Sequence, residues 1–242
     1  MLRRYLVTLV FIVAFAHAAG ASSADFHAGV EAYAAGDVET ALDRWSAAAG
    51  EGHAGAAYLL ANLYAEGQTG SVQDELAFRY YEQAAQAGHT EAQVALAGYY
   101  RIGNEDADVE LDLQQAHAWL AKAAYSRNSH AQYILGDMHT RGEGVEQNPY
   151  RGLRWFLLAA EKKYPLALAR LGVIYGAGQI VTQDIPKGFM YMSLAVEEAR
   201  GRERATIVAQ YDRMLSRVTP LERQLGLKMA TQWRAERRVL PR

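Results

Sequence analysis

Chemistry would have to come from histidines or carboxylates, because the chain has 7 His and 27 Asp+Glu but no Cys. Without cysteine there is no thiol nucleophile, no disulfide framework and no lipid-anchor cysteine. The histidines do not fall into a ligand pattern. His17 lies in an apolar leader-like stretch, and His53 and His89 recur at equivalent places in a repeat. His139 stands where the other repeats have tyrosine, and neither His117 nor His130 has a second His or a carboxylate at ligand spacing on its own helix face. No H-E-x-x-H, G-x-S-x-G, phosphate-binding loop or G-x-G-x-x-G occurs. Six acidic or amide residues crowd between Asn104 and Asp112, but they lack the D-x-D-x-D-G spacing with a distal glutamate. A solvated acidic loop is expected there, not a calcium site. No metal, no cofactor and no catalytic residue is expected.

The elements that would carry any site are repeated helix pairs. Leu135-Gly136-x-x-His139-x-x-Gly142 recurs as Leu60-Ala61-x-x-Tyr64-x-x-Gly67, Leu96-Ala97-x-x-Tyr100-x-x-Gly103 and Leu171-Gly172-x-x-Tyr175-x-x-Gly178, the leucines lying 36, 39 and 36 residues apart. An alanine precedes each leucine by four residues (Ala56, Ala92, Ala131, Ala167). A second stripe follows each first one: Ala77/Tyr80/Ala84/Ala85, Ala116/Trp119/Ala123/Ala124, Gly152/Trp155/Ala159/Ala160 and Gly188/Tyr191/Ala195. This i, i+3, i+7, i+8 spacing predicts helices with one apolar face, Trp155 among the buried rings. A helix pair this small cannot bury that face alone, so copies must stack. The four glycines ending the first helices, Gly67, Gly103, Gly142 and Gly178, are expected at positive φ.

The pattern resembles the Sel-one-like repeat family, αα-repeat relatives of the tetratricopeptide repeats. The family consensus, roughly A-x3-LG-x2-Y-x2-G-x-GV followed by A-x2-W/Y-x3-AA-x2-G, is matched best by Ala131 to Ala160. The departures are Ala61 and Ala97 for the first glycine, His139 for the tyrosine, and Arg127 and Lys163 for the glycine that survives as Gly52 and Gly88. The resemblance implies an all-α, right-handed α-solenoid of stacked antiparallel helix pairs with terminal capping helices, acting as a protein-interaction adaptor.

Residues 1–24 read as a signal peptide. Arg3 and Arg4 precede an apolar run of 12 residues, and Ala16-His17-Ala18 or Ser22-Ser23-Ala24 supplies the cleavage site. The run is shorter than the ~20 residues that a spanning helix needs. An amino-terminal capping pair is expected over 25–53, four repeats over 54–200 and capping helices over 201–242. In the last segment Thr219, Pro220 and Glu222 form a helix start, and Leu225, Met229 and Trp233 are expected to face the repeats. Residues 19–199 carry 12 Lys+Arg against 23 Asp+Glu, and residues 200–242 carry 11 against 4. Acidic repeats with a basic end exclude a nucleic-acid surface along the stack.

The first helices of such a stack line its inner surface, so the expected partner-binding face is Tyr58, Asn62, Glu66, Val94, Gly98, Tyr133, Asp137, Arg141, Arg170 and Val173. These residues vary between repeats while the packing positions stay constant. The expected function is an exported scaffold of the cell envelope, periplasmic or secreted, that binds another protein. The alternative is an envelope hydrolase acting on cell-wall material.

Overall fold

The computed structural model describes residues 22–239. A helix covers 22–34 (α1), followed by α2 (Val38–Gly50), α3 (Ala54–Ala65), α4 (Asp74–Gln86), α5 (Thr90–Ile102), α6 (Leu113–Tyr125), α7 (Ser129–Arg141), α8 (Pro149–Glu161), α9 (Pro165–Ala177), α10 (Ile185–Glu198), α11 (Glu203–Leu215) and α12 (Pro220–Val239). Among the described residues the only β pairing is a single bridge, Asn104 with Val109, inside the acidic loop. The architecture is the expected all-α solenoid of helix pairs. The chain divides into two compact units, 1–122 and 123–242. In the first, α2 packs on α3, α3 on α4 and α4 on α5; in the second, α7 packs on α8, α8 on α9, α9 on α10, and α10 on both α11 and α12.

Each repeat is punctuated by the same backbone devices. The first helix is opened by a side chain that accepts a hydrogen bond from the helix's orphan N–H groups: His53 Nδ1 from Ala56 N–H, His89 Nδ1 from Ala92 N–H, Asn128 Oδ1 from Ala131 N–H. Tyr164 stands at the same place in the last repeat without capping, and Pro165 at the first helical position removes one orphan donor instead. His53 and His89, which recur at equivalent places in the repeats, are helix caps. The first helix ends at a glycine of positive φ in all four repeats. The chain then folds back so that the N–H of Gln73, Asp112, Asn148 or Asp184 donates to the carbonyl of Tyr64, Tyr100, His139 or Tyr175, at 3.0, 2.8, 2.7 and 2.8 Å. Three of these four residues also cap the second helix through a side-chain oxygen.

The alanine and leucine series is the core. Ala56, Ala92, Ala131 and Ala167 are fully buried and Leu60, Leu96, Leu135 and Leu171 nearly so. Small residues set how closely helices approach. A Cβ on Gly136 would lie 2.4 Å from the Phe156 ring, and one on Gly188 would lie 2.6 Å from the backbone of Gly176. Ala61 and Ala97 occupy the Gly136 slot in the first unit and are themselves fully buried.

Two expectations need correction. Trp155 is only half-buried, its ring edge-on to Tyr125 at 5.6 Å, while Phe156 is fully buried. The same offset holds for Tyr81 and Leu120, which are buried beside half-buried Tyr80 and Trp119. The small residues of the expected stripe are buried in these helices, and only the large buried side chain differs, standing at i+4 where i+3 was expected. In α12, Leu225 is 43% exposed, and the face laid on α10 is Gly226, Ala230 and Trp233. There a Cβ on Gly226 would press the Pro186 carbonyl at 2.7 Å. α1 begins at residue 22, within the stretch read above as a leader, and Ser22 is buried; the rest of that leader reading, residues 1–21, lies outside the described residues. The Thr219–Glu222 capping box forms as expected, with Thr219 N–H donating to Glu222 Oε2 at 2.8 Å and Glu222 N–H to Thr219 Oγ1 at 3.3 Å.

Arg127 and Lys163 keep the backbone that glycine adopts at their place, with φ of 67° and 59°. A residue with Cβ is penalised there by about 1–2 kcal/mol. Relief of that penalty is offset in part by the greater freedom of unfolded glycine. Arg127→Gly should therefore raise stability by about 0.5–1 kcal/mol in urea denaturation. A destabilised variant would mean that the Arg127 side chain holds the turn.

Candidate interaction faces

Of the expected binding residues, Tyr58 and Asn62 meet the same Tyr81 in the first unit, and Tyr133, Asp137 and Arg170 come together in the second; the others do not join them. In the first unit Tyr58 is half-buried, its ring stacked on His89 at 4.4 Å and tilted against Tyr81 at 6.1 Å. Asn62, one turn on, accepts a hydrogen bond from the Tyr81 hydroxyl at 2.6 Å. Tyr81 meets Tyr99 at 6.0 Å, and the Tyr99 hydroxyl donates to Asp74 at 3.0 Å. Burial pushes the Tyr81 phenol up to about 12, with Tyr58 and Glu66 adding to it. Burial and the Asp74 bond also raise that of Tyr99. Both phenols are thus neutral hydrogen-bond donors at any physiological pH. Glu66 is exposed at the end of α3 and accepts from the Gln68 amide. Val94 is half-buried, and a Cβ on Gly98 would meet nothing within 4 Å.

In the second unit Tyr133 occupies the place of Tyr58. Its ring lies 5.8 Å from Phe156 and 5.6 Å from Tyr164, which in turn stacks on His130 at 5.9 Å. Burial pushes its phenol up to about 12, helped by the hydrogen bond to Asp137. Asp137 faces Arg170 at 3.7 Å, and the guanidinium lies 5.9 Å from the Phe156 ring centre. Arg141 is exposed and pairs with Glu143 at 3.3 Å. Val173 packs against the hydrophobic core of the unit.

Sequence reasoning missed Tyr81, Tyr99 and Tyr164. Tyr81 and Tyr99 each sit one residue beyond a position that had been singled out, and Tyr164 replaces a cap. Several polar groups of the clusters are committed within them, the Tyr81 phenol to the Asn62 amide and the Tyr99 phenol to the Asp74 carboxylate, while the buried Arg170 Nε lies 3.7 Å from Asp137 without a hydrogen bond. Such an arrangement presents rigid rings and fixed donors to a partner. Among the described residues no three His, Asp or Glu side chains gather as a metal site, and no described helix is long and apolar enough to cross a membrane.

The cap at His89 makes stability pH-dependent. Nδ1 must be unprotonated to accept the Ala92 N–H at 3.3 Å, and burial lowers the His89 pKa, with Glu91 opposing. A lowered folded-state pKa means that the unfolded chain takes up the proton first. The contribution is present in full above the unfolded value of 6.5 and is lost as pH falls below it and through the folded value. His89→Asn, which copies the cap at Asn128, should flatten this loss between about pH 7.5 and 5.5 in urea titrations. An unchanged slope would assign the pH response to another group.

Four consecutive matches to the Sel1 repeat model cover residues 54–89, 90–128, 129–164 and 165–199. The chain belongs to the Sel1 repeat family. It is similar to the exopolysaccharide production negative regulator of Rhizobium meliloti (strain 1021), 30% identical over 217 residues, 85% of this chain and 79% of that protein. It is also similar to the chitin synthase regulator SKT5 of Saccharomyces cerevisiae, 33% identical over 136 residues, but that match spans 56% of this chain and only 19% of the regulator. Among solved structures, the Sel1 repeat protein from Oxalobacter formigenes superposes with a TM-score of 0.68 at 25% identity, over 84% of this chain and 82% of that one. The relatives are named as regulators and Sel1 repeat proteins, which points to no enzyme family.

Proposed function

We propose that this Sel1 repeat protein is an exported, non-enzymatic scaffold of the cell envelope that binds a regulatory protein partner through the first-helix faces of its repeats. The observation that carries the reading is the contrast within those helices. Ala56, Leu60 and their equivalents are invariant in type and buried, while the place of Tyr58 and Tyr133 holds Val94 in another repeat, and Asn62, Gly98, Asp137 and Val173 differ at one matched place. Packing does not require that variety, and recognition does. The similarity to a regulator of exopolysaccharide production supports a regulatory role in the envelope.

The test uses the open space at Gly98. Gly98→Trp places a ring there, starting from a Cβ that would meet nothing within 4 Å. Bait carrying this change should lose a protein that wild-type bait retains from envelope extracts, with the melting temperature unchanged. Identical captured sets would overturn the reading. For export, cleavage after Ala18 leaves α1 whole, whereas cleavage after Ala24 would remove residues 22–24 from it. Mass spectrometry of a periplasmic or secreted form should therefore find Ala19 as its first residue; full-length protein in every fraction would overturn export.

A further inference from the structure

The second unit holds a cleft of about 400 Å³ where the end of α9, the start of α10 and α11 meet. Val173, Ile185, Met192, Met214 and Val218 make its lining mostly apolar, Gln183 and Gln210 interrupt it, and Arg213 and Arg217 also line it. The volume is that of a small-molecule pocket. No acidic side chain lines it. Arg213 lies in the last turn of α11 and Arg217 in the turn that follows it, and both are exposed. Among the described residues neither guanidinium has an ion pair or hydrogen bond. By contrast Arg200 and Arg204 hold the carbonyls at the end of α10, Arg234 grips Glu197, and Arg237 covers the Trp233 ring.

We infer that this cleft binds a single-chain amphiphile with an anionic head. The two guanidiniums supply a fork suited to a carboxylate or a phosphate. The apolar walls take a methylene chain, and two methionines let them adjust to it. A peptide fits less well. The cleft is lined by helix ends and a turn whose backbone groups are partly bonded already: the Gly176 carbonyl accepts from the Gln183 amide at 2.9 Å, and the Arg217 and Val218 N–H groups donate to the Met214 carbonyl at 3.0 and 3.1 Å. A peptide would bury its own amides unpaired, and an alkyl chain brings none. Val173, placed by its spacing on the partner-binding face, serves this cleft.

The test is calorimetric titration and thermal melting of the purified chain with laurate, dodecyl phosphate and dodecyltrimethylammonium, each below its micelle concentration. One-site binding of laurate or dodecyl phosphate is expected, and the tighter of the two identifies the head. The matching ten-carbon amphiphile should bind roughly tenfold more weakly, since two methylenes fewer are buried. Bound ligand should raise the melting temperature. R213E/R217E should weaken binding at least tenfold without changing the melting temperature of the free protein, because neither arginine holds the fold. Ala177→Trp should block the cleft. Equal binding of the trimethylammonium probe, unchanged affinity in R213E/R217E, or capture of an apolar peptide carboxylate with no response to laurate or dodecyl phosphate would each overturn the inference.

Discussion

Phe156→Ala should destabilise the protein by about 3–5 kcal/mol, the cost of emptying a fully buried aromatic site. Phe156 has no exposed surface, and it is the ring against which Gly136, Tyr133 and Arg170 all pack. Those three neighbours come from two other helices, so the hole could not collapse without moving backbone. Trp155→Ala, one residue away, should cost only about 1–2 kcal/mol, since that ring already meets solvent. The pair of variants, measured by urea denaturation, tests the helix phase directly. Equal losses, or the larger loss at Trp155, would mean that α8 is rotated from the orientation described.

Deleting everything after Val218 should have the second large effect. α10 is buried from Gly188 to Ala195 without interruption. A helix apolar on all sides needs cover on all sides, and α9 supplies only part of it. Removing α12 withdraws Gly226, Ala230 and Trp233 and uncovers Phe189, now fully buried. The loss should be on the order of 5 kcal/mol, comparable to the whole stability of a small unit. The truncated chain should bind a hydrophobic dye, aggregate, and lose more helical circular dichroism than α12 accounts for. If it melts as the parent does, α12 contributes nothing to the stack.

The repeat register was legible because alanine, leucine and glycine each have one use at their positions. A fully buried alanine cannot be enlarged, and a turn at positive φ favours glycine. Which ring the second helices bury was not legible, because Trp155 and Phe156 are both apolar rings beside a correctly placed alanine stripe. Only contact with Gly136 distinguishes them, and that contact joins residues twenty positions apart. Leu225 misled for a related reason: the closest approach to α10 is made by Gly226, whose lack of a side chain carries no hydrophobic signal. Of the expected faces, Tyr58 and Tyr133 are half-buried rings that bridge consecutive helices and also present an edge to solvent. Their share in packing comes from Tyr81, His89, Tyr164 and Phe156, partners that spacing on a single helix does not reveal.

The fit between Gly136 and Phe156 also bears on how such a chain can be copied and shuffled by recombination. A first helix carrying Ala61, spliced in front of α8, would set a methyl group where the Phe156 ring stands, 2.4 Å from it. A first helix carrying glycine, spliced before α4, would leave a hole. Crossovers inside a pair are therefore penalised, and crossovers at the His53, His89, Asn128 and Tyr164 boundaries are not, since each next helix brings its own opening. The heritable unit is the pair, and duplicated genes of this kind should show their junctions at those four residues.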